Sequence, residues 1–319
     1  MDEPVPYREV REYARTLELE SREVQAEFPV DRLVAALDAL SGAAAAALEP
    51  APAARLVESS TARYGAHAAG AYAKLLVSKL IEDYPSRARR IALPESIRTE
   101  YPRTLARIAR GLPLVAHESY IAPHDEVGLS SPGHADFWRD LRLTAQLTVP
   151  LTASRVLDTV AFLPRTFYRG MGLAENLRCL WRVVTRLHGL GPVFRIHIDE
   201  RDLSEYDETG WERAYLRAAE MLRLHPKVKG TVGRSWTHDP QLDRISPKLT
   251  YPRRQQMAHG AFMRLVGSDG PATQRALLKS PTRRRLYERG EYVPTVYRVV
   301  WPRRDMLRWS ATRSRPSPS

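Results

Sequence analysis

Apolar residues in positions 1–110 recur every three or four residues, the spacing of a helix that buries one face. In one such segment these positions are Leu33, Val34, Leu37 and Leu40. The segment 71–83 has the same pattern and stops before Pro85, which cannot continue a helix. We therefore predict a helical first third of the chain, with helical spacing returning over 137–190.

The spacing of apolar residues changes after Gly191. Residues 193–198 alternate apolar and polar side chains, which is typical of a half-buried strand. Further strands and helices then alternate along the chain. The predicted strands are 193–198, 228–236, 260–266 and 292–301, and the helices between them include 211–224 and 271–289. This alternation predicts an α/β domain.

The predicted fold class is α+β or α/β, with a helical N-terminal region followed by a C-terminal α/β domain that has a mixed sheet. Residues 1–133 are predicted to form a helical domain or cap, and residues 134–190 are predicted to be connecting helices. Residues 191–309 are predicted to be the catalytic domain, and the Ser-, Pro- and Arg-rich residues 310–319 a disordered tail.

The composition is that of an ordinary folded protein. The 319 residues are 43% hydrophobic and 27% charged, and this length suits two domains. Cys179 is the only cysteine, so no internal disulfide forms, and no leader is recognisable; both observations favour a reducing, cytoplasmic setting. No apolar run is long enough for a membrane span, although the mixture of arginines and aromatic residues in 137–190 allows peripheral membrane contact.

The net charge of +12 lies mostly at one end of the sequence. Residues 251–319 contain fifteen basic and four acidic residues. Such an excess indicates an anionic ligand, a nucleic acid or an acidic membrane surface. The alternative is an arginine-biased genome that yields basic surfaces without a ligand.

Three histidines, His117, His124 and His134, fall in or beside the turn-rich segment 112–133. Their spacing is irregular and no cysteine accompanies them, so they do not predict a metal site. We expect no metal here.

His197 and Asp199 are candidate catalytic residues because alternate side chains at a strand end share one face. Asp199 or Glu200 would orient His197 as a general base. The same pair, with His238 or His259, would alternatively supply a mononuclear iron site. In a third interpretation, His197 has no catalytic role and only forms a hydrogen bond with a neighbouring carboxylate.

The segment 230–240 is rich in residue types found at functional sites. Candidate ligand-binding residues here are Gly233, Arg234, Ser235 and Trp236, and His238 and Asp239 are candidate acid–base groups. Such residues after a strand favour a site at its C-terminal end. The order Gly-Arg-Ser-Trp-Thr is not a nucleophile elbow, and no P-loop is present, so plain turn chemistry is the alternative.

Residues 280–294 predict a helix with three adjacent arginines, Arg283, Arg284 and Arg285, that would bind phosphate. The sequence Leu-Tyr-Glu-Arg-Gly at 286–290, followed by an aromatic strand, resembles the end of the GNAT-type acyltransferase fold. The resemblance implies that Tyr287 protonates a coenzyme A thiolate and that strand 230–236 lies beside pantetheine. The superfamily's pyrophosphate loop is absent, so Arg234, Arg244 and the three adjacent arginines would hold the phosphates.

The favoured function is therefore acyl transfer to the amine or hydroxyl of a small-molecule acceptor. The co-substrate would be acyl-CoA or an acidic acyl carrier protein, with no tightly bound cofactor. A general base, His197 or His238, would act with Asp199 or Asp239. The alternative from another class is nucleic-acid binding by the basic C-terminal helix, with Arg283–Arg285 contacting phosphates and Trp301 and Trp309 contacting bases.

Overall fold

The computed structural model describes residues 7–39, 51–87, 91–122, 136–164, 167 and 172–313. The chain divides into two compact units, Met1–Pro150 and Leu151–Ser319. The division falls inside the segment 134–190 that the sequence pattern assigned to connecting helices.

Helices make up nearly all of the first unit. They are α1 (Tyr7–Glu20), α2 (Arg22–Glu27), α3 (Val30–Ala39), α4 (Ala51–Glu82), α5 (Tyr84–Arg87), α6 (Glu95–Arg98), α7 (Tyr101–Gly111), α8 (His117–Ile121) and α9 (Asp136–Thr144), with a 3-10 turn at Leu112–Leu114. The long helix α4 is interrupted at Gly65, whose φ of 82° is readily adopted only by glycine.

The second half of α4 forms the centre of this unit, where Leu75, Leu76 and Leu80 are buried. Helices α1 and α8 pack against it. Gly70 allows the closest approach, because a Cβ atom there would lie 2.1 Å from the backbone oxygen of His117 at the start of α8. A side chain at position 70 would therefore push α8 away.

Helices and a single sheet make up the second unit. The elements are β1 (Thr148–Thr152), β2 (Arg155–Ala161), α10 (Leu173–Arg186), β3 (Val193–Ile198), α11 (Glu208–Leu224), β4 (Gly230–Ser235), α12 (Leu242–Ile245), α13 (Tyr251–Ala258), β5 (Phe262–Gly267), α14 (Gly270–Leu278), α15 (Pro281–Glu288), β6 (Val296–Pro302) and α16 (Arg303–Arg313). Strand β1 begins in the last residues of the first unit.

The sheet has the strand order β1-β2-β3-β4-β6-β5. Strands β3 and β4 are parallel, whereas β2 with β3, β4 with β6, and β5 with β6 are antiparallel. The parallel pair is connected through α11, as a parallel connection requires. The predicted fold class, helices followed by an α/β region with a mixed sheet, is confirmed.

Three predicted elements differ from the structure. Within 137–190, residues 148–152 and 155–161 are strands, because a short apolar run rich in Val and Thr has no period that separates a buried strand from a helix. The helix predicted over 271–289 is two helices, since Ser280 caps α15 by accepting a hydrogen bond from Arg283 N at 3.2 Å. Residues 310–313 of the predicted disordered tail continue α16, and 314–319 lie outside the described residues.

An aromatic cluster joins β6, α11 and α16 on one side of the sheet. The ring centroids of Trp301 and Tyr215 are 5.4 Å apart, and those of Trp301 and Trp309 are 5.1 Å apart. Trp301 is fully buried, and its indole N–H donates to the backbone oxygen of His259 at 2.9 Å. Rings at these separations add to the stability that area burial provides.

We predict that Trp301→Ala lowers the free energy of unfolding by about 3–5 kcal/mol, because it leaves a large cavity and an unpaired carbonyl. The measurement is guanidinium unfolding followed by circular dichroism. Trp181→Ala is the matched control, since Trp181 is 69% exposed, and we expect it to change stability by no more than about 0.5 kcal/mol. Equal effects of the two substitutions would contradict this description of the core.

Candidate active site

One face of the sheet carries a row of arginines. Arg264 on β5 lies directly opposite Arg298 on β6, and Arg298 lies directly opposite Arg234 on β4. Arg195 on β3 is opposite Val232, two residues before Arg234, so it shares this face. Like charges at directly opposed positions destabilise a sheet. The row therefore needs a specific explanation.

The other half of the same face is apolar. Val193, Val232, Phe262 and Val300 pack there with Phe167 and with Cys179, Val183 and Leu187. Cys179 and Val183 belong to α10, and Leu187 directly follows it, so this helix covers the apolar half. Phe167 lies at the border, where its ring centroid is 5.4 Å from the guanidinium of Arg264 and 5.8 Å from that of Arg298. The apolar packing holds the arginines in place.

The arginines differ in their partners. Arg234 donates to Asp269 at 2.5 Å, and Arg264 donates to the side chain of Asn176 at 2.9 Å. No carboxylate pairs with Arg298 in the described part of the chain. Burial, and then repulsion from Arg234, Arg195 and Arg264, lowers the pKa of Arg298 to about 10. An anion bound here would relieve this repulsion.

An aspartate–histidine pair adjoins the arginines. His197 Nε2 lies 2.8 Å from Asp158 Oδ2, and Arg195 Nη1 lies 4.0 Å from the same oxygen. Asp158 is on β2, opposite Arg195 in the register, and is almost fully buried. A carboxylate on one nitrogen of an imidazole leaves the other nitrogen able to take a proton. The pair therefore has the parts of a general base and its orienting group.

The expected partner of His197 was Asp199 or Glu200, and the structure gives Asp158 instead. The carboxylate of Asp199 is buried and accepts hydrogen bonds from the backbone N and Nε of Arg201, each at 3.2 Å. Asp158 was not considered as a partner because its strand, β2, was predicted to be helical. Within the described residues no third ligand joins His197 and Asp199, so the predicted iron site does not form there.

The parallel strands separate at their C-terminal ends. Their register pairs are Phe194 with Thr231, Arg195 with Val232 and Ile196 with Gly233, and each strand continues for two more residues. Residues 197–198 and 234–235 still pair on their outer sides, with β2 and β6. Pairing between the two strands therefore stops before His197 and Arg234, and we call this unpaired end of β3 and β4 the gap.

His238 lies on the opposite side of the sheet from His197. A Cβ atom at Gly233 would be 3.3 Å from His238 Nε2, and Gly233 belongs to the face opposite Arg234. Burial, and then the charge of Arg253, lowers the pKa of His238 to about 4. Asp239 is buried, accepts from Gln241 N at 3.0 Å and Thr295 N at 3.1 Å, and has its pKa raised by burial. Asp239 therefore holds a corner of the fold together through these two hydrogen bonds.

Of the remaining predicted site residues, some make contacts within the protein and others are exposed to solvent. The guanidinium of Arg283 donates to Ala276 O at 2.5 Å and to Ser246 Oγ at 3.0 Å, and lies 5.0 Å from the ring centroid of Trp236. It is therefore used in packing. Ser235 Oγ accepts from Thr237 N at 3.0 Å. Arg284 is exposed, and Tyr287 is 41% exposed on the same helix, α15.

Base contacts by Trp301 and Trp309 are not possible in this structure, because both rings are buried in the aromatic cluster. Helix α10 exposes Leu177, Trp181 and Val184 beside Arg178 and Arg182. Apolar and basic side chains are the composition of helices that lie on membranes, and peripheral membrane contact stays a prediction. No helix among the described residues is both long enough and apolar enough to cross a bilayer.

The sequence analysis missed Asp158 and, apart from Arg234, the arginine row. A signal for the row is present, since Arg195, Arg264 and Arg298 each follow two apolar residues inside a predicted strand. A cation at a core-facing position of a strand is rare and marks a site that needs an explanation. Their convergence depends on the strand order, which the sequence pattern did not supply.

No protein-family model matches the sequence, and no protein with a curated description matches it. The chain is similar to a solved structure of an acyltransferase in complex with decanoyl-CoA and teicoplanin. The two share 13% identity over 88% of each chain, with a TM-score of 0.43. A likeness of this size does not assign the chain to a family.

We predict that His238 lowers the stability of the fold in acid. Between pH 6.5 and about 4 the unfolded chain binds a proton at His238 that the folded chain does not bind, so the free energy of unfolding falls as the pH falls. The loss reaches about 3 kcal/mol below the folded pKa. The measurement compares urea unfolding of the wild type and His238→Gln at pH 7.5 and pH 4.

His188→Gln is the control, because His188 is exposed. We expect the stability difference between the wild type and His238→Gln to depend on pH, and that between the wild type and His188→Gln to stay constant. A difference that does not change with pH for His238→Gln would show that the folded and unfolded states protonate this histidine equally.

Proposed function

We propose that the second unit transfers an acyl group from a coenzyme A thioester to the amine or hydroxyl of a small-molecule acceptor. The observation that carries the proposal is the arginine row beside the gap between β3 and β4, with Arg298 at its centre and without a carboxylate partner among the described residues. The resemblance of residues 286–290 to GNAT-type acyltransferases points to the same chemistry.

The arginine row suits the phosphates of coenzyme A. Guanidinium groups bind phosphate through two parallel hydrogen bonds, and their charge is permanent. A ligand with several phosphates would neutralise Arg298 and its neighbours together, which one surface carboxylate cannot do. The row therefore replaces the pyrophosphate loop that the sequence lacks.

The gap suits an extended chain that carries amides, such as pantetheine. Backbone groups of residues 197–198 and 234–235 border the gap without pairing across it. An extended ligand that contains amides pairs with such groups in the way an added strand does. This position would bring the thioester next to His197.

His197 would act as the general base. With a proton on Nε2 shared with Asp158, the lone pair on Nδ1 accepts the proton of the attacking amine or hydroxyl. The acceptor bonds to the thioester carbonyl, the C–S bond breaks, and the thiolate leaves. The resemblance assigns protonation of that thiolate to Tyr287. A carrier-protein thioester is the variant of this proposal that would use exposed basic residues such as Arg284.

We predict that Arg298→Gln weakens coenzyme A binding by about tenfold or more, because one charge-assisted contact is lost from the centre of the row. Isothermal titration calorimetry with coenzyme A measures this directly and needs no acceptor. Arg284→Gln is the matched control, since Arg284 is an exposed arginine on α15, and its affinity should stay within twofold. A loss confined to Arg284→Gln would place the phosphates on α15.

We predict that His197→Gln lowers kcat by about 10²- to 10⁴-fold and changes coenzyme A affinity little. Thiol release from acyl-CoA, tested against a panel of small amines and alcohols, gives kcat, and calorimetry gives the affinity. Asp158→Asn should lower kcat less and shift the pH–rate profile, because it acts by orienting His197. Unchanged kcat in His197→Gln would rule out this base.

A further inference from the structure

A second cluster of chemically active side chains lies in the first unit, and the proposed acyl transfer does not use it. Glu20 ends α1, His67 follows the break in α4, and His117 begins α8. One donor atom from each of the three lies within 4.8 Å of the others. His117 Nε2 and Glu20 Oε2 are 2.7 Å apart, and the two imidazole rings meet edge to face at 4.7 Å.

The packing of the helices brings these residues together. Gly70 seats the backbone of His117 directly on α4, one turn after His67. Helix α1 packs on α4 through Val10, Ala14 and Leu17, so its last residue, Glu20, also lies beside α4. The three side chains therefore belong to three different helices with fixed positions.

A neighbouring carboxylate orients one of the two histidines. Glu118 lies 2.9 Å from His67 Nδ1, and a carboxylate on one nitrogen of a metal-binding imidazole orients the ring and raises its basicity.

We propose that Glu20, His67 and His117 bind a divalent transition-metal ion of the zinc class. Two imidazole nitrogens and one carboxylate oxygen suit Zn²⁺, whereas Ca²⁺ and Mg²⁺ prefer oxygen ligands. Donors around tetrahedral zinc are roughly 3.4 Å apart for bonds of about 2.1 Å. Glu20 and His67 are partly exposed, so modest side-chain rotation closes the cluster.

This site is not the group of His117, His124 and His134 that was considered from the sequence. For that group we expected no metal. His124 and His134 lie outside the described residues, and the partner of His117 is His67, fifty positions earlier in the chain. Three protein ligands leave a coordination position for water or another ligand. Bound metal would also tie α1, α4 and α8 together and stabilise the first unit.

The test uses the full chain without a histidine tag, stripped of metal with a chelator. Calorimetric titration with Zn²⁺ should show one equivalent bound, and Co²⁺ should give the intense visible absorption of a four- or five-coordinate site. His67→Gln, His117→Gln and Glu20→Gln should each weaken Zn²⁺ binding by at least about tenfold. Zn²⁺ should raise the melting temperature of the wild type and not that of His67→Gln.

The controls are His188→Gln in the second unit and Glu12→Gln, an exposed glutamate on α1. Both should bind Zn²⁺ like the wild type. His67 is largely exposed, so His67→Gln should keep the fold, as circular dichroism will verify, even where His117→Gln does not. Absence of a one-to-one Zn²⁺ complex in the wild type, or binding that all three variants retain, would overturn the proposal.

Discussion

The packing of Val232, Phe262 and Val300 beneath α10 sets the strand register on which the candidate active site depends. A shift of one residue in any of these strands would move its arginine to the other face of the sheet. The burial of the apolar half is favourable, and it outweighs the repulsion among Arg195, Arg234, Arg264 and Arg298. The apolar packing thus keeps the arginines close together despite their mutual repulsion.

The parallel pair of β3 and β4, which has an antiparallel neighbour on each side, explains where the site lies. The C-terminal ends of β3 and β4 point the same way, so the side chains that follow both strands meet at one edge. Because each strand has another partner on its outer side, the two strands can separate without losing their place in the sheet. Fixed guanidinium groups and an acid–base pair then border one opening.

The polar residues described in the two units fall into different classes. Asp239 and Arg283 make hydrogen bonds within the protein and hold loops and helix ends in place. Arg298 and the His67–His117 cluster have bonding capacity that the described protein groups do not fill. In both places the unfilled capacity belongs to several side chains held close together, which a bound ligand would satisfy at once.

The sequence by itself determined most of the elements and the mixed α/β character of the second unit, because the periods of buried residues are local properties. It placed β3 within its observed bounds and found His197 as a candidate base. Only the tertiary structure decided that Asp158 is its partner, that three further arginines join Arg234, and that His67 meets His117. Each of these contacts joins residues distant in the chain, and strand order and helix packing, which depend on the whole fold, bring them together.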